Sequence, residues 1–265
     1  MISNGYKQSG FTLIEIAVVL VIVGILIGSF IGTFADRIET TRRDNTKKQI
    51  EEINLAILGF AGARGRLPCP ATTTSAGQEQ PPGGGACAVQ HGFVPVALMG
   101  LSGAVNRDGL LIDSWGNPIR YSVTASDANA FTTSAAGGIQ DTGMAVLTPD
   151  LVICSGDSTS GTDCAGGPSK LAGNAAYVVL SLGKDGNEFV TNLTPNTDQG
   201  ENASETTVVA NAAGENIAYT VANNRVFVSK SYSDIASTSG RFDDIIIWGS
   251  PYILYSWMIE AGQLP

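Results

Sequence analysis

Histidine is almost missing from this chain. His91 is the only one in 265 residues, which leaves no second imidazole for a histidine dyad or a multi-histidine zinc site. Its Gln-His-Gly setting near Pro95 carries no partner motif, so His91 reads as a loop or core residue. Basic side chains are also scarce: 15 Lys and Arg face 24 Asp and Glu, a formal net charge of −9. Gripping nucleic acid through a basic patch is therefore disfavoured. Charged residues make up only 15% of the chain against 43% apolar residues, and the 32 glycines follow no collagen-like period. That balance describes a globular domain with something added, neither a disordered chain nor a fibrous one. Patterns of the G-x-S-x-G, H-E-x-x-H and G-x-x-x-x-G-K-[ST] kind are missing as well, and no catalytic site is expected.

Proline is absent before Pro68, and this stretch holds what the rest of the chain lacks. From Phe11 to Phe34 the only ionisable side chain is Glu15, and such a run is long enough to cross a hydrocarbon core of about 30 Å as a helix. A cleavable secretory signal fits less well, because its apolar region usually covers only about 7–15 residues and ends at a small-residue cleavage site. Helix-forming residues continue past the span. Between Ala35 and Gln49 only Ala35 and Ile38 are apolar, whereas Ile50, Ile53, Ile57, Leu58 and Ala61 return at helical spacing and predict a stripe docked on a domain. Gly62, Gly65 and Pro68 supply the stop. The expected helix covers 11–63, with 11–34 in the membrane and 35–63 amphipathic, and at full length is on the order of 80 Å.

The remainder, 64–265, is punctuated by Gly, Ser, Thr, Asn and Pro and predicts a sheet-containing domain with long loops. Candidate strands are Leu110–Asp113, Ile119–Val123, Met144–Leu147, Ala176–Leu182, a hairpin of Ile217–Val221 with Arg225–Ser229 through Asn223 and Asn224, and Asp244–Trp248. Ser250 and Pro251 open a short terminal helix, with Ile253, Leu254, Trp257, Met258 and Ala261 at helical spacing. Thr72–Gly85 and Ser155–Ser169 read as surface loops.

Four cysteines flank those two loops as near pairs, Cys69 with Cys87 and Cys154 with Cys164. Three pairings are open and the local one is expected, each bridge contributing around 3 kcal/mol by closing a loop. Neither pair has the C-x-x-C spacing of a zinc site. Disulfides imply an oxidising compartment and so place the large domain outside the cytoplasm. The distribution of basic residues points the other way: Lys7 alone precedes the span, while Arg37, Arg42, Arg43, Lys47 and Lys48 follow it closely. The cysteines are given precedence.

The segment SGFTLIEIAVVLVIVGILIG, with Gly10 before Phe11 and Glu15 at the fifth place from Phe11, resembles the signal of type IV pilins and pseudopilins. The resemblance implies an α+β, pilin-like fold in which a long N-terminal helix packs on a mainly antiparallel sheet. It implies that a prepilin peptidase removes the leader 1–10 between Gly10 and Phe11 and methylates the new terminus. It also implies a role for Glu15 in pairing with the free amino terminus of a neighbouring subunit, since a lone carboxylate in an apolar helix is costly. The alternative for Glu15 is a side chain that snorkels to the interface. Gly24, Gly28 and Gly32 repeat every fourth residue and offer a seam for close helix approach.

Further on, DSWGNPIRYSV (113–123), SLGKDGN (181–187) and FDDI (242–245) are similar to three segments of the major pseudopilins of type II secretion. There the last two segments hold calcium. Carried over, the implied ligands are the carbonyl of Leu182 with Asp185, Asp243 and Asp244, all hard oxygen donors. More than fifty residues separate Asp185 from Asp243, however, and the family's short connecting loop is missing. On the residues alone these positions read as a D-G turn at Asp185–Gly186 and an acidic pair flanking a helix or a strand.

The resemblance thus implies a structural subunit and not an enzyme, with the prepilin peptidase, other pilin or pseudopilin subunits and an inner-membrane assembly platform as partners. The expected location is the bacterial inner membrane, crossed once with the N-terminus cytoplasmic and the large domain periplasmic, and then a pilus or pseudopilus. The size of the domain suggests a minor or accessory subunit. The alternative is a binding or adhesion module displayed by the filament, with no nucleic-acid partner.

Overall fold

The structure, a computed structural model, describes Gly10 and residues 12–134, 136–156, 162–164, 166–186, 198–199, 202, 209–210, 217–218, 225–233 and 241–265; at 29–35, 209–210 and 217–218 only the backbone is described. Helix α1 runs Leu13–Arg64, 52 residues without a proline. It ends one residue later than the stop signals suggest, where Gly65 at φ +70 donates its amide to the Ala61 carbonyl at 2.8 Å, a left-handed cap that glycine adopts without strain. The chain divides into two compact units, Met1–Asp44 and Asn45–Pro265. The last twenty residues of α1 thus belong to the large unit.

In the first unit the apolar side chains from Leu13 to Ile27 are exposed. Among the described residues, no helix is long and apolar enough to cross a membrane. The side chains at 29–35, which take in the end of the span expected over 11–34, lie outside the described residues.

The large unit is layered. Strands β1 (His91–Phe93), β2 (Arg120–Val123), β5 (Tyr177–Ser181) and β9 (Ile245–Gly249) form an antiparallel sheet in the order β1-β2-β5-β9. A second sheet has the order β4-β3-β8, with β3 (Leu151–Cys154) antiparallel to β4 (Lys170–Ala175) and parallel to β8 (Val226–Val228). A two-stranded ribbon pairs β6 (Val209–Ala210) with β7 (Ile217–Ala218). Further helices among the described residues include α2 (Val96–Met99), α3 (Ile139–Thr142) and α4 (Pro251–Glu260).

Side chains alternate across the first sheet as a period of two requires. Tyr121, Val123, Tyr177 and Val179 face a core completed by Ile50, Ile53, Ile57, Leu58 and Ala61 of α1 and by Leu254 and Met258 of α4. The opposite face, with Val178 and Leu180, packs on Leu151, Ile153, Ala175 and Phe227 of the second sheet. The α1 stripe is therefore the one the sequence predicts. Polar contacts fix its register: Tyr177 donates to Asn54 Oδ1 at 2.7 Å, Gln49 to the Ile112 carbonyl at 3.1 Å, and the Ser114 amide to Thr46 Oγ1 at 3.2 Å.

Several expectations are corrected. Met144–Leu147 is a turn after α3, entered through Gly143 at φ +86 and closed by the Val146 amide on the Gly143 carbonyl at 3.1 Å. The hairpin expected through Asn223 and Asn224 is not seen among the described residues: β7 pairs with β6 and β8 lies beside β3, while 219–224 fall outside the described residues. Leu110–Asp113 makes isolated bridges instead of a strand. The loop at 72–85 is partly internal, with Ser75, Gly77 and Glu79 buried. Glu79 draws it in by forming a two-pronged ion pair with Arg66, at 2.7 and 2.8 Å, and accepting the amides of Cys69 and Gly83 at 3.1 and 3.0 Å. Burial pushes the Glu79 carboxyl up, but Arg66 and those amides together hold it below its usual range. The local cysteine pairing is the one formed, Cys69 with Cys87 and Cys154 with Cys164.

Candidate functional site

Two groups of residues singled out by the sequence can now be placed. The first lies at the start of α1. Gly10 is exposed, with nothing within 4 Å of where a Cβ would stand, and Phe11 lies outside the described residues. Thr12 and Glu15 close on one another: the Thr12 amide and hydroxyl each donate to Glu15 Oε2 at 3.1 Å, and the Glu15 amide donates to Thr12 Oγ1 at 3.3 Å. This is a capping box, a T-x-x-E pattern that satisfies amides otherwise orphaned at a helix start. Glu15 is exposed, so the carboxylate remains accessible while it caps. Gly24 and Gly28 also have open space where a Cβ would stand, leaving their face free for close packing; the surroundings of Gly32 fall outside the described residues.

The second group lies in the large unit, where all three pseudopilin-like segments meet. Asp113 Oδ1 accepts the amides of Trp115 and Asn117, both at 2.9 Å, which shapes the turn before β2. Ser181 donates its hydroxyl to Asp113 Oδ2 at 2.6 Å, and Asn117 donates to the Gly183 carbonyl at 2.6 Å. Burial raises the Asp113 carboxyl despite these hydrogen bonds. Gly183 stands at φ +67, and a Cβ there would come within 2.7 Å of Asp243, so the approach of 181–185 to 242–244 requires glycine. The Lys184 amide then donates to Asp243 Oδ2 at 2.8 Å.

Asp185 and Asp243 share their partners. Gln199 donates to Asp185 Oδ1 at 3.2 Å and also to Asp243 Oδ1. Arg241 reaches Asp185 Oδ2 at 3.3 Å and Asp243 Oδ2 at 3.7 Å. Burial first, and then the nearness of Asp243, push the Asp185 carboxyl up to about 7 against the pull of Arg241. Asp244, also buried, accepts Asn202 Nδ2 at 2.7 Å, and Asn202 exchanges a further pair of hydrogen bonds with the backbone of Val228. Burial drives the Asp244 carboxyl well up and brings the Arg120 guanidinium down to about 9, each opposed by the charge of the other.

Of the four implied calcium ligands, Asp185 and Asp243 thus come together and Asp244 adjoins them electrostatically; the fourth, the Leu182 carbonyl, belongs to a residue whose side chain packs in the core between the sheets. A calcium ion takes about six to eight oxygen ligands, of which the described residues bring two carboxylates, Asp185 and Asp243, together. Nitrogen donors of Arg241 and Gln199 face the two carboxylates instead. Among the described residues, no group of three or more His, Cys, Asp or Glu side chains is placed to hold a metal ion. His91 lies buried in β1 with Nδ1 2.8 Å from Ser122 Oγ. Sequence reasoning passed over Thr12, Gln199, Asn202 and Arg241. Only Thr12 had a readable signal, its spacing to Glu15.

Residues 5–31 match the family model described as the prokaryotic N-terminal methylation motif. That motif is the prepilin-type signal of type IV pilins and pseudopilins, and the chain carries it, followed by a helix and an antiparallel-sheet domain consistent with a pilin-like fold. It implies processing by a prepilin peptidase, anchoring in a membrane and assembly with other subunits of this kind. No curated protein and no solved structure matches the chain.

Proposed function

We propose that this chain is a structural subunit of a type IV pilus or type II secretion pseudopilus, cut between Gly10 and Phe11, methylated at Phe11, and added to the filament as a minor or accessory component. The observation that carries the reading is the methylation motif over 5–31, with Gly10 exposed at its cut point. Support for a minor role comes from the large unit, where a second sheet and two disulfide-closed loops accompany the helix-backed sheet. Glu15 is the assembly residue in this account. Its carboxylate caps α1 within the chain and, in the filament, faces the amino terminus of a neighbour.

Cross-linking in intact cells followed by peptide identification tests the assembly role. Cross-links from α1 to other chains bearing the same amino-terminal signal are expected, and they should be lost in Glu15→Ala although that variant still reaches the membrane. Cross-links to unrelated membrane proteins alone would overturn the proposal.

A further inference from the structure

The geometry points to Arg241 and Gln199 as the groups that hold Asp185 and Asp243 together in place of a divalent cation, so that the large unit folds and stays folded without calcium. Two carboxylates with 6% and 2% of their side-chain surface exposed repel each other strongly unless a counter-charge lies between them. Arg241 supplies it. Its planar guanidinium carries several N–H donors and contacts one oxygen of each carboxylate, a task suited to arginine because its charge is permanent. Gln199 bridges the remaining oxygens by donating to Asp185 Oδ1 and Asp243 Oδ1, and the Lys184 amide adds a third donor to Asp243.

The origin of the donors adds a second line of argument. Gln199 and Arg241 both come from the stretch between the two acidic segments, and so does Asn202, which clasps Asp244 and the Val228 backbone. Lys230, from the same stretch, pairs with Asp198 and stands over the Phe242 ring at 5.7 Å from its centre. A long segment in place of a short metal-binding loop thus brings its own cation and its own amide donors to the acidic pair. One guanidinium charge against two carboxylates leaves the group net negative, in keeping with the high titration of Asp185.

Thermal unfolding of the full chain in detergent micelles, with EDTA or with excess calcium chloride, tests the clasp. Wild type is expected to melt at the same temperature in both. Arg241→Ala should lower Tm by on the order of 10 °C, because a buried charge pair is left without its partner. Arg241→Lys should lose less, and Asp185→Asn added to Arg241→Ala should recover much of the loss by removing the charge conflict. A wild-type Tm that falls with EDTA or rises with calcium would overturn the inference, as would an Arg241→Ala chain that melts like wild type. If Arg241→Ala does not fold, the double variant decides: recovery of a cooperative melt supports the clasp, and failure to recover contradicts it.

Discussion

A carboxylate at the head of an apolar helix needs hydrogen-bond donors, and Glu15 finds two of them on Thr12. Capping and assembly make different demands on this residue. A capping box accepts Gln in place of Glu, whereas pairing with an amino terminus needs the negative charge. Glu15→Gln is therefore expected to keep α1 intact yet cut filament incorporation by roughly tenfold or more, the equivalent of a lost charge-assisted hydrogen bond of about 1.5 kcal/mol. Quantitative immunoblotting of the filament and membrane fractions checks this, and Thr12→Val, which removes the cap hydroxyl but not the charge, should incorporate nearly normally. At Asp185 the prediction concerns pH. Its folded value near 7 lies above the unfolded value of about 3.9, so the folded state binds the proton more tightly and stability falls as pH rises between those two values. Urea unfolding across that range should show the slope, and Asp185→Asn should flatten it. Glu79 has the opposite sign: held below its usual range, it contributes stability that is lost as pH falls through its folded value.

At the scale of elements, legibility followed length and periodicity. The α1 stripe from Ile50 to Ala61 and the α4 start at Ser250–Pro251 were readable because helical spacing and cap residues repeat over many positions. Strands β1 and β3, three and four residues long, are too short for a period to emerge. The sequence of β4, KLAGNA, is exposed along most of its length and lacks the β-branched and aromatic residues that mark strands. Met144–Leu147 looked like a strand because it is apolar, but the positive φ at Gly143 turns the chain first. The Arg66–Glu79 clasp was illegible since it joins residues thirteen apart in a stretch without regular structure. Its removal is expected to matter: Glu79→Ala strands a buried guanidinium and should cost about 3–5 kcal/mol in urea unfolding. Reducing Cys69–Cys87, which closes the same loop, should cost around 3 kcal/mol by the same assay.

For the whole molecule, the amino-terminal segment carries the class signal and the large unit carries what that signal does not describe. The methylation motif was legible in the sequence because it is a linear stretch of chain. The acidic group was legible only in part. Asp185, Asp243 and Asp244 stood out by motif, while the donors that meet them come from a stretch with no local signature and are united with them only by folding. The account as a whole rests on processing at Gly10–Phe11, and the most direct measurement is mass spectrometry of the amino-terminal peptide from native membranes, with and without the prepilin peptidase. A chain that begins at N-methylated Phe11 when the peptidase is present, and retains its leader when it is absent, is the predicted result. An unprocessed leader under both conditions would contradict the account and leave Glu15 as a helix cap alone.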